Sequence, residues 1–415
     1  METAIASNYP RYLDKDFFTI CLREGLNNPN IEIENFNITM GTNPGDNYTS
    51  FMYRVYIKYK DTGSGSKNLQ LMVKSMPTDG DRGFFADISL HMKEKFAYFD
   101  LLPQVHQLLR HCWVAPKCYY AVEAPVQTIV FKDLKPEGYS LADRVQGLDE
   151  THCKIVLNKL AKFHAASTHV LQKDPDLEEK FKEGFYCTAS VDTEIFQIYF
   201  RKNLKKAAEI VSNMPGFEYF GPQLMALFDN FPAIVLSSVA LCVEDIRAVI
   251  HGDVWVNNIM FRYDAGVPND ALFVDFQGSF VNSPALDLNY FFVTSAKLPI
   301  LKRKEEFIEK YYFPVFEDTL KRIGFKPLPT LEQILGEMRR HELFSLINLF
   351  GVFPLISLEW EESKSNSHAQ FVDESIANVK RNVGMSSERF IETMQYALKY
   401  YEKLNVFENA MRAIK

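Results

Sequence analysis

The stretch HGDVWVNNIMF at residues 251–261, followed by FVDFQGS at 273–279, decides the reading of this chain. A histidine, an aspartate two residues on and an asparagine five residues after that share one short segment, and a second aspartate follows 17 residues later at the end of an apolar run. Phosphoryl transfer makes sense of that spacing. It needs a carboxylate to orient an attacking hydroxyl and accept its proton, and oxygen ligands to hold magnesium against a triphosphate. Asp253 suits the first task. Asn258, with a neutral amide oxygen, and Asp275, with an anionic carboxylate, suit the second, approaching from opposite sides. His251 suits the packing and hydrogen bonding that hold such a loop in place. A polar turn between two helices is the plain alternative, and it leaves the apolar strand ending at Asp275 and the lysine-bearing strand upstream unexplained.

Upstream, Phe51, Tyr53, Val55 and Ile57 alternate with Met52, Arg54, Tyr56 and Lys58, the period of two of a half-buried strand. The polar run DTGSGSKN at 61–68 predicts a turn and residues 69–76 a second strand, which makes a hairpin. Lys74 lies inside that second strand, where a charge is costly unless it has a partner. A phosphate and a helix carboxylate would supply one. The next helix is predicted over residues 87–102, ended by Pro103, and Glu94 on it is the candidate carboxylate. An edge-strand lysine and a solvated glutamate are the bland readings of the same two residues. The segment MGTNPGDNYTS at 40–50 carries Gly41, Gly45, Asn47 and Ser50, whose N–H groups and small side chains suit a phosphate cradle, although ordinary turns use the same residues. QTIVF at 127–131 predicts one more buried strand. After it, the KDL segment at 132–134 stands where the two regions join, and a nucleotide base would bond the backbone of Asp133 and Leu134.

Beyond this point the pattern turns helical. Val156, Leu160 and Phe163 mark one helix face, and Phe390, Ile391, Met394, Leu398, Tyr401 and Leu404 mark another, with Ser386 and Ser387 as available caps. Ala271 to Val274 is the one clear strand here. His164 reads as a satisfied core histidine, and Phe344, Phe350, Phe353 and Trp360 mostly as core, whereas Trp255 is placed to touch a substrate. The expected architecture is α+β and bilobal, with a small antiparallel-sheet nucleotide-binding lobe over 1–131, a hinge over 132–139 and a large, mainly helical lobe over 140–415.

Composition removes several classes. The 46 basic and 53 acidic residues give a formal net charge of −7 without a basic stripe, which argues against nucleic acid as a partner. The six cysteines are dispersed, without a C-x-x-C pair, and read as reduced thiols. Neither a secretory leader nor a run of about 18 uncharged apolar residues is visible, so the expectation is a cytoplasmic protein that does not enter a membrane. Protein partners are not legible.

HGDVWVNNIMF and the D-F-Q triplet resemble the ecdysteroid-kinase-like family of insects, relatives of the choline and aminoglycoside kinases with a protein-kinase-like fold. The likeness extends to N-Y-T-S at 47–50, Lys74, Glu94 with Tyr98, Asp133 with Leu134, L-A-K-F-H-A-A-S, and P-A-L-D-L at 284–288. It implies ATP and Mg2+ as cofactors, with Asp253 as catalytic base, Asn258 and Asp275 as magnesium ligands and Lys74, paired with Glu94, on the phosphates. It also implies that Asp287 braces the catalytic loop. Lys132 departs from the family's more usual glutamate at the hinge, and Gln277 in place of the glycine of D-F-G is usual in the family.

Only 12 residues separate Asp275 from Asp287, too few for an activation loop with a peptide platform, and Gly252 stands where a protein kinase carries an arginine. The 118 residues between Asp133 and His251 leave room for helices that close over a small hydroxylated acceptor. An ecdysteroid-like apolar alcohol, a choline-like amino-alcohol and a xenobiotic alcohol all remain open at this level, as does noncatalytic binding of nucleotide or lipophile. The last leaves the base unexplained.

Overall fold

The computed structural model describes residues 9–41, 50–61, 65–76, 90–110, 112–358 and 373–414. In its N-terminal part β1 (Glu32–Met40), β2 (Phe51–Asp61), β3 (Gly65–Ser75), β4 (Cys118–Val122) and β5 (Thr128–Lys132) form an antiparallel sheet in the order β1-β2-β3-β5-β4. The period-two pattern sorts its faces. Tyr53, Val55 and Ile57 of β2, Leu71 and Val73 of β3 and Val130 of β5 are buried, and they pack with Phe18, Cys21 and Leu22 of helix α1 (Lys15–Gly25). The residues one position out of phase, Met52, Arg54, Met72 and Lys74, line a cavity on the opposite side.

Three of these elements, α1, β1 and β4, are not legible as periodic segments in the sequence. In β1 only Ile33 is fully buried, as suits an edge strand with water on most of its surface. The helix expected over 87–102 is described from Leu90. It runs as α2 (Leu90–Phe96) through a π-helical turn, Ala97–Leu101, into α3 (Leu102–Leu109). Pro103 therefore does not end it. The wide turn lets Pro103 fall in the first turn of α3, where its missing N–H and fixed φ are tolerated.

The C-terminal part is mainly helical. Helix α4 (Glu150–Lys173) buries Val156, Leu160 and Phe163, and the helix Glu388–Lys403, capped by Ser387, buries Phe390, Met394, Leu398 and Tyr401. The expected single strand at 271–274 is the end of β9 (Val267–Phe273), and it has company: β6 (Tyr139–Leu141), β7 (Ala248–Ile250), β8 (Ile259–Asp264) and β10 (Phe280–Asn282). They form the sheets β6-β8-β9 and β7-β10. Strands of three to seven residues are too short to show a period in sequence, yet the motif loops hang from them. β7 ends just before His251, β8 begins just after Asn258, and β9 ends two residues before Asp275. Every residue of the helix Pro284–Ser295 is buried, which makes it a fixed post behind those loops. Among the described residues no helix is long and apolar enough to cross a membrane.

Leu71 is fully buried in the centre of the sheet against the α1 cluster. Leu71→Ala should lower stability by about 2–5 kcal/mol in urea denaturation. A loss in the range of surface substitutions, about 0.5 kcal/mol, would mean that this face does not carry the lobe.

Candidate active site

The loop after β7 is held from behind. Asp287 accepts hydrogen bonds from the backbone N–H of His251 at 2.7 Å, the backbone N–H of Gly252 at 2.8 Å and His164 Nε2 at 3.0 Å. His164 is fully buried and its other nitrogen meets the Tyr312 hydroxyl at 3.0 Å, so it is a satisfied core histidine. Gly252 has a φ of 77°, and a Cβ there would stand 2.1 Å from the Gly278 carbonyl oxygen. No side chain fits where the loop crosses the D-F-Q segment, a steric reason for the missing arginine.

His251 lies under this loop and does not reach the cavity. Its Nε2 meets the Val274 carbonyl at 3.0 Å and its Nδ1 accepts from the Asp253 backbone N–H at 3.3 Å, the pattern of a neutral imidazole. Burial holds it below the usual histidine range despite Asp287 nearby. The residue positions the loop rather than touching a ligand.

Asp253 faces the cavity. One carboxylate oxygen accepts from the Tyr290 hydroxyl at 2.5 Å and the other from Asn258 Nδ2 at 2.9 Å. Although the cavity reaches this group, the protein around it excludes most solvent. That burial pushes its pKa up to about 7, against the opposing pull of the Tyr290 and Asn258 hydrogen bonds and with a further push from Asp275. Burial and the neighbouring Asp253 hold Tyr290 well above the ordinary phenol range, so it donates. Tyr290 escaped the sequence reading. The available signal was its place three residues after Asp287, on the same helix face.

Lys74 joins three pieces of chain. Its ammonium lies 2.6 Å from Glu94 on α2 and 2.8 Å from Asp275 after β9. Burial opposes the charge, but the Asp275 and Glu94 carboxylates outweigh it and hold the lysine above its usual range. Burial raises Glu94, partly offset by Lys74. Asp275 sits at φ 66°, ψ 63°, a left-handed conformation that costs a non-glycine residue about 1 kcal/mol or more and turns its carboxylate back toward the sheet. Gln277 Nε2 donates to its second oxygen at 3.3 Å. Phe276 is fully buried, with ring centroids 4.6 Å from His251 and 5.6 Å from Tyr98.

These groups line one cavity of about 860 Å³. Lys74, Glu94, Asp253, Asn258 and Asp275 all reach it, as do Gly41, Ser50, Asp133, Leu134 and Trp255. Gly45, Asn47 and Trp360 lie outside the described residues. The backbone N–H groups of Lys132 and Asp133 are engaged by the carbonyls of Lys117 and Gln70, and the Asp133 carboxylate accepts from Arg54 Nε at 2.6 Å. Phe344, Phe350 and Phe353 are core, whereas Phe185, Tyr186, Tyr199 and Phe200 supply the aromatic wall.

The donor set suits a small hard cation. Both amide N–H contacts of Asn258 go to Asp253, to its backbone oxygen and its carboxylate, each at 2.9 Å, which leaves the amide oxygen as the atom offered to a metal. Asp275 offers a carboxylate. One amide and one carboxylate, completed by water and phosphate oxygens, are what Mg2+ commonly takes. Among the described residues no group of three or more His, Cys, Asp and Glu forms a protein-only metal cage.

No curated protein matches the sequence. Among solved structures, a Plasmodium vivax ethanolamine kinase is similar at 13% identity, covering 87% of this chain and 85% of its own, with a TM-score of 0.42. A microcompartment-associated aminopropanol kinase is similar at 10% identity over 92% of this chain and 98% of its own, with a TM-score of 0.41. A GDP complex of an aminoglycoside 2'-phosphotransferase is similar at 11% identity over 88% and 99%, with a TM-score of 0.34. At that distance they decide neither fold nor substrate for this chain. The sequence itself is more telling: residues 44–325, well over half of the chain, match the family model, and the chain belongs to the ecdysteroid kinase-like family.

Proposed function

We propose that this protein transfers the γ-phosphoryl group of Mg-ATP to the hydroxyl of a small, neutral, largely apolar alcohol, of which an ecdysteroid is the example the family name suggests. The observation that carries the reading is the meeting of Asp253, Lys74, Asn258 and Asp275 in the wall of one cavity, where burial pushes the Asp253 carboxyl up to about 7. A base poised near the operating pH suits proton abstraction from an alcohol.

In this reading the nucleotide lies between the sheet and the D-F-Q segment. The β1–β2 hairpin, whose Gly41 and Ser50 line the cavity, covers the phosphates, and Lys74 exchanges Asp275 for a phosphate oxygen while keeping Glu94. Since the N–H groups of Lys132 and Asp133 are engaged, the base uses other backbone groups between Lys132 and Leu134. Asn258 and Asp275 would hold a magnesium ion, which would supply charge neutralisation at the phosphates. The acceptor oxygen bonds to the γ-phosphorus, its proton passes to Asp253, and the bond to the bridging oxygen breaks to release ADP. Tyr290 and Asn258 hold the Asp253 carboxylate aimed at the acceptor.

The acceptor class follows from what surrounds Asp253. Tyr290 packs toward Phe344, Phe344 against Tyr186, and Tyr186 against Phe200, a continuous aromatic run beside the base. Each carboxylate lining the cavity has a partner: Glu94 and Asp275 share Lys74, Asp133 holds Arg54, and Asp253 holds Tyr290 and Asn258. Of the described carboxylates lining the cavity only Asp253 lacks a cationic partner, and in this reading it is taken by the acceptor hydroxyl, so an acceptor ammonium would have no carboxylate of its own; this favours a neutral alcohol over choline or an aminoglycoside.

Asp253→Asn should lower kcat by about 10²–10⁴-fold while Mg-ATP affinity stays unchanged. The readout is ADP release against a panel of ecdysteroids, choline, ethanolamine and aminoglycosides, with product mass checked for one added phosphate. Equal turnover in both proteins would sink the assignment of the base. Because the carboxylate must be ionised, kcat/KM should climb with pH and level off above about 7, the value set by burial of Asp253. Tyr290→Phe removes a bond that stabilises the anion, so it should move that limb to higher pH; a flat profile between about pH 5.5 and 8 contradicts the reading. Asp275→Ala should abolish the magnesium dependence of nucleotide binding in calorimetry, and undiminished dependence would remove Asp275 from the metal site.

A further inference from the structure

On the far side of the hinge lies a second cavity, of about 1020 Å³, which phosphoryl transfer does not use. It is bounded by residues 112–119, the hinge, α4, the β8–β9 hairpin and residues 310–315. Seven lysine and arginine side chains line it against two carboxylates, Glu137 and Asp270, in a chain whose net charge is −7. Both carboxylates are occupied. Glu137 pairs with Lys132, and Asp270 takes Lys159 at 2.8 Å and the Tyr139 hydroxyl at 2.7 Å. Lys117 and Lys162 are left without a carboxylate partner among the described residues, and the Lys117 ammonium stands 4.6 Å from the centre of the Tyr119 ring.

Lys154 and Lys310 pair with Glu150 at 2.7 Å and Glu306 at 2.8 Å outside the lining, so the uncompensated charge is that of Lys117 and Lys162, which a concavity with low-dielectric walls focuses into a positive potential. An anion relieves it. The cavity also has an aromatic surface to offer: Trp113 lines it with half its area exposed, its ring centroid 4.4 Å from that of His106. Pro116, Lys132, Leu134 and Tyr139 line both this cavity and the catalytic one, so the two share a wall.

We propose that this second cavity is a binding site for a multiply charged phosphorylated small molecule, held by Lys117 and Lys162 with Trp113 beside it. The test uses the full-length chain carrying Trp255→Phe and Trp360→Phe, which leaves Trp113 as the reporter among the three tryptophans. Inorganic tripolyphosphate is titrated without magnesium in about 150 mM NaCl, where exposed charges are largely screened. The expected result is a saturable fluorescence change whose midpoint rises about tenfold in Lys117→Gln/Lys162→Gln and is unmoved in Lys74→Ala. No saturable change overturns the proposal. So does a change that survives the double lysine variant and is lost in Lys74→Ala, which would place the ion in the catalytic cavity. Lysine-dependent binding of a polyglutamate peptide without any response to tripolyphosphate would also overturn it, in favour of an acidic protein segment. None of these readouts involves turnover, so the proposal and the kinase reading fail separately.

Discussion

The architecture of the site hangs on one buried carboxylate. Asp287 sits on a helix without a single exposed residue and takes three donors, two of them consecutive backbone N–H groups of the HGD segment. Hydrogen bonds to a charged acceptor are worth about 1.5–3 kcal/mol each, and the cost of leaving those N–H groups buried and unpaired is of similar size. The start of the loop between β7 and β8 is therefore held in place, and the direction in which Asp253 points follows from it. Gly252 is the complement of that constraint, because the crossing with Gly278 leaves no room for a side chain.

A second charge cluster ties the sheet to this fixed loop. Lys74 binds a carboxylate from α2 and another from the segment after β9, so sheet, helix and helical lobe meet at one ammonium. Phe276 adds an apolar counterpart, packed between His251 and Tyr98. Two carboxylates on one lysine and a third carboxylate pushed up to about 7 form a local concentration of unfavourable charge. Perturbed groups of this kind cluster where ligands bind, and in the proposed reading a magnesium ion at Asn258 and Asp275 would relieve the excess negative charge.

The helical lobe sets what can meet Asp253. The aromatic wall comes from Phe185, Tyr186, Tyr199 and Phe200, within the 118 residues that separate the hinge from the HGD segment. The β8–β9 hairpin has two roles by position: one end leads to Asn258 and Asp275, while Arg262 and Asp270 line the cavity behind the hinge.

Much of this was legible from residue order. The alternation in β2, the helix faces at 156–163 and 390–401 and the spacing of His251, Asp253, Asn258 and Asp275 are local signals, because side-chain direction in a strand or helix follows from backbone period. Three kinds of feature were not. The edge strand β1 buries too little, and the three-residue strands of the helical lobe are too short, to leave a pattern, and Pro103 read as a stop because nothing local announces a π-turn. The aromatic wall and the partnership of Tyr290 with Asp253 join residues far apart in the chain. So does the cavity behind the hinge, which gathers lysines from four segments. Sequence determined which chemical groups this protein carries and in what order; tertiary structure alone decided which of them share a cavity, which are desolvated and which neutralise one another. The reason is physical: burial and Coulomb interaction depend on distance in space, which a chain sets only once it is packed.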